Sequence, residues 1–483
     1  MDSKLEKILS EVLKRTTPTS KERKYILKLT SRLRQKVKKA AKEAGLECEV
    51  RVEGSVAKNT WLREEPDIDI FIRVPPTASR EALGTRYLDV AREATRGTKQ
   101  VERFAEHPYL EAVLNKTLVN IVPCYRVQKG EWKSATDRTP FHTDYVKPLL
   151  NRKLCGEVRL LKRFMKGIGV YGAEIKVGGF SGYLCELLIL FYGSFLQTIR
   201  EAGNWKPQTL IDLEDYYKGR EGDLRLLFSE PLVIVDPVDK RRNVASAVRR
   251  DRLNEFVAAS RALLGKPSIG FFYPEATESL SRDELLQALK KRGTSLVFIQ
   301  FGNARTVPDI LWGQLYKSQR SLRKLVKQHD FNIVGDAVWS DELDLNTFLI
   351  EVKHRRLPPL RKHFGPPLEK RSECERFLEK HTGRARTLSG PRIEGGRWIV
   401  DVVRRYTDII ELLEDRLEDG GRGVGVAELV SQAIAKNSKF LTNEEVLPAY
   451  SRSQSFAKFL TEYIEGRPKW LPVPAGGKGR RRA

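Results

Sequence analysis

Apolar residues along the first part of the chain alternate between a helical and a strand period. Leu5, Ile8, Leu9, Val12 and Leu13 recur at helical spacing, and Pro18 ends that predicted helix. Thr19-Ser20-Lys21-Glu22 reads as a capping box that opens a second helix reaching about Ala44. Its many lysines and arginines read as a solvated face. Glu47–Val52 is a predicted strand, followed by a Gly54-Ser55 turn and a short helix. Asp67–Val74 is a strand broken by Pro75-Pro76. Arg80–Arg96 is a helix, and Val101–Phe104, Tyr109–Leu114 and Leu118–Pro123 are further strands. This order predicts a mixed α/β domain of about 145 residues, a usual domain size.

From Gly156 the period becomes helical. Val158, Leu160, Leu161, Phe164 and Met165 form an apolar stripe, and Gly182–Ile199 is a mostly apolar, buried helix. Leu232–Asp236 is a predicted strand and Arg252–Leu264 a helix. A third region starts near Pro267, with Leu280–Lys291 helix, Ser295–Phe301 strand, Gln314–Gln328 helix and Phe348–Leu357 strand. Pro472 to Ala483 is rich in Gly, Pro and Arg and reads as a mobile basic tail. No internal repeat is present.

Composition narrows the partner. The chain has 483 residues and a formal charge of +24, from 87 Lys and Arg against 63 Asp and Glu. That excess suits a polyanion. The basic residues are spread along the chain rather than confined to one amphipathic segment, which favours RNA or DNA over a membrane surface. No apolar run approaches the roughly 20 residues that span a bilayer. The N-terminus lacks a signal-peptide core. Five scattered cysteines, without metal spacing, read as reduced thiols of an intracellular protein, and a cytoplasmic setting is expected.

Candidate chemistry lies at Gly54-Ser55 and, twelve residues on, Asp67-Ile68-Asp69. Residues two apart on a strand face the same way, so Asp67 and Asp69 present two carboxylates together. Such a pair suits magnesium, which takes oxygen ligands and leaves room for substrate phosphates. The Gly-Ser turn can aim backbone N–H groups at a triphosphate. Together these parts suit nucleotidyl transfer from an NTP to a hydroxyl. Alone, Asp-x-Asp reads more readily as solvated acidic surface than as a catalytic pair.

A longer ordered series of motifs resembles the archaeal (class I) CCA-adding enzymes, tRNA nucleotidyltransferases of the DNA-polymerase-beta-like superfamily. The series comprises GSVAKNTWL (54–62), DIDIF (67–71), AEHPY (105–109), VNIVPCY (119–125) and SATDRTPFH (134–142). EVRLLKRFMKGIGVYGAE (157–174), GGFSGYLCELLI (178–189) and VDPVDKRRNVA (235–245) continue it. The resemblance implies an α+β multidomain fold: a polymerase-beta-like nucleotidyltransferase head at 1–147, then a mainly helical neck and α/β body at 148–266. A tail at 267–465 and a basic C-terminus at 466–483 follow. It implies template-independent building and repair of the tRNA 3′-terminal CCA from CTP and ATP, with pyrophosphate released. Two magnesium ions assist, and the acceptor and T-arm half of tRNA is held. Similar enzymes are commonly homodimers.

The same resemblance implies roles by position. Asp67 and Asp69 would hold the metals. Gly54 and Ser55 would cradle phosphates, with Lys58 where relatives often carry arginine. Thr139 and His142 would contact ribose and triphosphate, and Lys162 and Tyr171 the triphosphate. Arg242 would read the base edge, and Glu106 and His107 would form a loop near the RNA end. Each position has a plainer reading as surface or core, Lys58, Tyr171 and the Glu106-His107 pair most openly.

One residue departs from the pattern. Asn120 stands where the family usually has a third carboxylate. An amide oxygen can ligate magnesium or orient a hydroxyl, but carries no charge and takes no proton. Either the two aspartates suffice or catalysis is slowed. Within the same chemistry, a CC- or A-adding enzyme or a poly(A)-type polymerase accompanies the full CCA-adding reading, and Asn120 motivates a third alternative, a non-catalytic tRNA-binding protein.

Overall fold

The computed structural model describes residues 3–471, apart from Glu64, Ala105, Glu106, Asn303 and Arg305. The expected basic tail at Pro472–Ala483 and the candidate Glu106 lie outside the described residues. Two compact units divide the chain. One takes in the described residues up to Ala276 together with 467–471; the other is Thr277–Gly466.

The first unit begins with α1 (Ser3–Thr16) and α2 (Ser20–Glu43). The expected capping box opens α2: Thr19 N donates to Glu22 Oε2 at 2.7 Å, and Glu22 N to Thr19 Oγ1 at 3.2 Å. Then come β1 (Glu49–Glu53), α3 (Gly54–Ala57), β2 (Asp67–Val74), α4 (Arg80–Gly84), α5 (Arg86–Ala94), β3 (Lys99–Phe104), β4 (Pro108–Leu114) and β5 (Thr117–Tyr125). The five strands form one sheet in the order β1-β2-β5-β4-β3. β2 runs antiparallel to β1 and parallel to β5. Strand alternation divides β2. Ile68, Ile70 and Ile72 are fully buried in a core shared with Ile26, Leu33 and Val37 of α2 and Leu88 and Ala91 of α5. Each such burial contributes roughly 1.5–3 kcal/mol. Asp67, Asp69 and Phe71 take the other face.

A second core joins α1, α6 (Arg138–Leu149), α7 (Arg152–Gly167), α8 (Gly182–Tyr192) and α9 (Phe195–Ala202). It continues through β6 (Thr209–Asp212), β7 (Leu232–Asp236) and α11 (Arg250–Gly265). Leu224 of α10 (Glu221–Leu227) packs in a small separate cluster with Tyr217 and Val235, and β8 (Asp239–Asn243) completes the sheet β6-β7-β8.

Two helices expected to be continuous are broken. The Gly182–Ile199 segment stops at Gly193 (φ 80°), and Ser194 caps α9 by accepting from Gln197 N at 3.2 Å. Glycine takes the left-handed cap without a Cβ penalty, and serine supplies the acceptor the next helix needs. The two pieces bend by 94°. The Arg80–Arg96 segment breaks at Thr85 (φ −121°, ψ −89°), beside the Gly84 contact with Pro108. Among the described residues no single helix is long and apolar enough to cross a membrane.

The second unit contains α12 (Arg282–Arg292), β9 (Ser295–Phe301), α13 (Pro308–Gln328), β10 (Ile333–Ser340) and β11 (Asn346–Val352). β12 (Leu360–Pro367), α14 (Arg371–His381), β13 (Thr387–Glu394) and β14 (Arg397–Val403) make a separate small sheet and its helix. The unit ends with α15 (Ile409–Leu417), α16 (Glu428–Lys436), β15 (Ser438–Thr442), α17 (Leu447–Arg452) and α18 (Gln454–Glu465). The main sheet runs β10-β11-β9-β15. β9 is buried on both faces: Val297, Ile299 and Phe301 pack toward α13, α15 and α16, and Leu296 and Phe298 toward α12 and α18. The strand expected to run from Phe348 to Leu357 leaves the sheet after Val352, where Lys353 N turns to Asn332 O at 2.9 Å.

Candidate active site

The site starts at the junction of β1 and β2. Glu53 ends β1 directly opposite Asp69. Gly54 then turns the chain into α3 with φ +68°, a conformation that favours glycine. Space makes the same demand. A Cβ at Gly54 would lie 1.9 Å from Asp69 Oδ2, so only glycine lets the turn lie against that carboxylate. Ser55 follows at the first turn of α3.

Strand register assembles the polar groups. Asp69 pairs with Asn120 of β5, and Asn120 pairs with Glu111 of β4. A row Glu53–Asp69–Asn120–Glu111 thus crosses four strands, with Asp67 two residues before Asp69. Asn120 Nδ2 donates to Asp69 Oδ1 at 3.1 Å. Glu111 is held by Arg103 Nη2 at 3.0 Å and Nε at 3.3 Å. Burial pushes Asp67 up to about 6, with the neighbouring charges of Asp69 and Glu65 acting in the same direction. Burial raises Asp69 as well, against the Asn120 hydrogen bond and the charges of Lys58 and Lys162. Two carboxylates held together at this cost in ionisation are the donor set that a hard divalent cation relieves.

Behind the turn lies a buried cation pair. Lys58 caps α3, and its Nζ meets Glu186 Oε2 at 2.5 Å. Lys162 of α7 reaches Glu186 Oε1 at 3.6 Å and Thr60 Oγ1 at 3.2 Å. Thr60 Oγ1 donates to Glu186 Oε1 at 2.6 Å. Burial works to raise Glu186, but the two lysines overcome it and keep it ionised. Tyr171 lies beyond the end of α7, in a single bridge to Phe180. A Cβ at Gly182 would stand 3.0 Å from Tyr171 Oη and 3.4 Å from Lys162 Nζ, so both groups crowd that glycine.

A third cluster forms around Asp236 at the end of β7. His142 Nε2 approaches its Oδ2 at 3.0 Å, Arg242 Nη1 donates to the same oxygen at 2.7 Å, and Tyr183 Oη donates to Oδ1 at 3.1 Å. Burial works against the Asp236 charge, yet His142, Arg242 and the Val238 N–H hold its carboxyl down at about 2. The His142 and Tyr183 rings stack at 4.0 Å. Lys58 Nζ lies 5.6 Å from the same Tyr183 ring, linking this cluster to the lysine pair. Thr139 sits half-buried on the first turn of α6, one turn before His142.

The structure therefore brings Gly54, Asp67, Asp69 and Asn120 together, and Lys58 with Lys162 and Tyr171. Through Asp236 it brings His142 to Arg242. His107 stands apart: it is buried and bonded through Nε2 to Thr136 Oγ1 at 3.0 Å.

Family models match along most of the chain. A nucleotidyltransferase domain covers residues 32–142, the second domain of tRNA nucleotidyltransferase covers 156–273, and the C-terminal domain of CCA-adding enzymes covers 292–443. A CCA-adding enzyme of Methanosarcina mazei is 37% identical over 456 residues, covering 94% of this chain and 97% of the relative. One of Methanosarcina barkeri is 39% identical over 432 residues, covering 89% and 93%. One of Pyrobaculum islandicum is 36% identical over 446 residues, covering 91% and 100%. The chain belongs to the CCA-adding enzymes.

Within this CCA-adding enzyme, sequence reasoning missed the acids that organise the site. Glu186 stands alone in the apolar run Gly-Tyr-Leu-Cys-Glu-Leu-Leu-Ile, a burial that only a paired charge survives. Asp236 ends the wholly buried strand β7. Both carried a legible signal, an acid inside an apolar segment. Glu53 and Glu111 carried none, because their place depends on strand register.

Proposed function

We propose that this CCA-adding enzyme transfers CMP and then AMP from CTP and ATP to the 3′-end of tRNA, through the carboxylates of β2. The observation that carries the reading is the contact of Gly54 with Asp69. The phosphate-facing turn and the carboxylate are built as one unit.

The 3′-hydroxyl oxygen attacks the α-phosphorus, the bond to the pyrophosphate oxygen breaks, and the hydroxyl proton leaves. Two magnesium ions at Asp67 and Asp69, when bound, supply charge neutralisation of the triphosphate and activation of the hydroxyl. Gly54 and Ser55 present backbone N–H groups to the phosphates. Lys58 and Lys162 hold positive charge beside the triphosphate, and Glu186 fixes where that charge sits. Tyr171 offers a hydroxyl next to Lys162. Thr139 and His142 face the sugar and phosphates, and Asp236 orients His142 and Arg242 as a pair. Arg242, part-exposed, donates to the edge of the incoming base. Asn120 orients Asp69 through its amide and takes no proton, so the proton acceptor is a carboxylate or solvent. His107 supports the turn that leads into α6.

The acceptor and T-arm half of tRNA is the expected polyanion for the +24 chain. The free cysteines suit a cytoplasmic setting. The test is extension of a tRNA transcript that ends at its discriminator base, with magnesium and labelled CTP and ATP. Addition of two Cs and one A, then termination, is the expected result. No incorporation despite tRNA binding would overturn the catalytic reading.

A further inference from the structure

A cavity of about 670 Å³ opens wholly within the first unit; the Ala57–Asn59 segment lines it and the β2 carboxylates Asp67 and Asp69 do not. Five cationic residues line it: Lys58, already paired with Glu186, and Arg23, Lys147, Arg152 and Arg159, together with Asn59 and Asn151. No carboxylate does. In a chain whose surface arginines pair repeatedly with acids, four cations left uncompensated around one cavity are a charge imbalance.

The deepest of the four is fixed in place. Arg159 is 2% exposed. Its Nε donates to Trp61 O at 3.0 Å, and its Nη2 to Asn59 O at 2.6 Å and Asn59 Oδ1 at 3.0 Å. Among the described residues Nη1 has no hydrogen-bond partner, which leaves its two donors for a ligand. Arg23 Nη1 donates to the same Asn59 Oδ1 at 2.6 Å. Two guanidiniums thus converge on one neutral amide oxygen, which cannot cancel either charge. Burial, with the charge of Arg23 added, pulls Arg159 down to about 10. An anion in the cavity would relieve both effects.

Backbone polarity agrees. α2 begins at Ser20 and α7 at Arg152, so two long helices start at the cavity wall. Their N-terminal ends carry partial positive charge that favours anions. Lys147 and Arg152 are exposed and form no ion pair among the described residues. Planar guanidiniums in this number suit oxyanions with several acceptors, phosphates above all.

We propose that this cavity is a second phosphate-binding site, additional to the triphosphate cradle, with Lys58 and its Glu186 partner at the boundary of the two. Its occupant is a phosphate-bearing anion, either a free diphosphate or a phosphodiester of the RNA. The reading rests on the cavity alone and stands whether or not the catalytic assignments hold.

The experiment is equilibrium dialysis of radiolabelled inorganic pyrophosphate against the full chain saturated with CTP and magnesium, which fill the catalytic cradle. CTP binding is followed in the same cells, so a failure there is seen separately. One pyrophosphate bound per CTP-loaded chain is expected. The Lys147→Gln, Arg152→Gln double variant, changed only at exposed residues, should bind it at least tenfold more weakly while CTP binding is unaltered. An Arg159→Gln variant, checked by circular dichroism, should lose it further. No pyrophosphate on the CTP-loaded chain, or equal binding by the double variant, would overturn the proposal. The two sources separate on tRNA. If the natural occupant is an RNA phosphodiester, the double variant raises the KM for tRNA and lowers its salt slope by about 1–2. If it is a free diphosphate, KM for tRNA is unchanged and only inhibition by added pyrophosphate weakens.

Discussion

On the proposed reading most of the chemistry turns on Gly54 and the β2 aspartates, and each makes a sharp expectation. A Gly54→Ala side chain meets a left-handed backbone and Asp69 Oδ2 at 1.9 Å at once. Either the turn or the carboxylate must move. A displacement of about 1 Å at a reacting centre costs about 10²-fold in rate, so kcat should fall at least that far while tRNA affinity is retained; steady-state kinetics with filter binding decides it. Asp67 gives a pH signature. Its folded value of about 6 exceeds the ordinary 3.8, so between those values the folded chain holds more protons than the unfolded one. Stability of the metal-free protein therefore falls as pH rises through that window. Melts in EDTA from pH 4 to pH 7 should show this loss relative to Asp67→Asn, and magnesium should reverse it above pH 6 by taking the proton's place. Parallel pH profiles for the two proteins would sink the assignment. At Asn120 the opposite substitution informs: Asn120→Asp restores a charge beside Asp69 and is expected to raise turnover, or at least leave it intact. A large loss would mean that the site is built around the amide.

The elements carry the site through three buried acids and one strand order. Glu186, on α8, ties Lys58 after α3 to Lys162 on α7. Glu186→Gln keeps the shape and removes the charge, leaving two buried ammonium groups unpaired. Breaking a buried pair this way costs about 3–5 kcal/mol, so we expect a lower melting temperature, with the loss partly recovered when a nucleotide triphosphate supplies the missing negative charge. Recovery by CTP, and none by cytidine, separates this from ordinary core damage. Much of this scaffold was legible in sequence. The capping box at Thr19 announced itself by motif, the β2 aspartates by their two-residue spacing, and β9 as a strand at Ser295–Phe301, though not its burial on both faces. Other parts were not. Gly193-Ser194 lies inside an unbroken apolar pattern, and periodicity alone cannot see that a C-cap and an N-cap are adjacent there. β12 and β13 place much of their length in solvent, so their apolar contrast is weak, and proline and glycine interrupt both. The Glu53–Asp69–Asn120–Glu111 row needed the strand order, which no single segment encodes.

At the scale of the whole molecule, charge and chemistry make separable claims on the substrates. On the proposed reading the nucleotide is met by a few mutually compensated groups: Lys58 and Lys162 share the buried Glu186, and His142 and the part-exposed Arg242 share the buried Asp236. Salt screens such buried pairs little. The RNA, on the same reading, is met by the excess of +24 charges. Each phosphate neutralised there releases counterions, and log K falls with log salt by about 0.7–0.9 per contact. Raising salt from 50 to 200 mM should therefore increase the KM for tRNA by at least tenfold, while the KM for CTP, measured at saturating tRNA, changes less than twofold. Equal sensitivity of the two constants would mean that the nucleotide is held by screened surface charge, and the buried lysine pair would lose its assigned part. A flat tRNA response would mean that the positive excess serves something other than the RNA backbone.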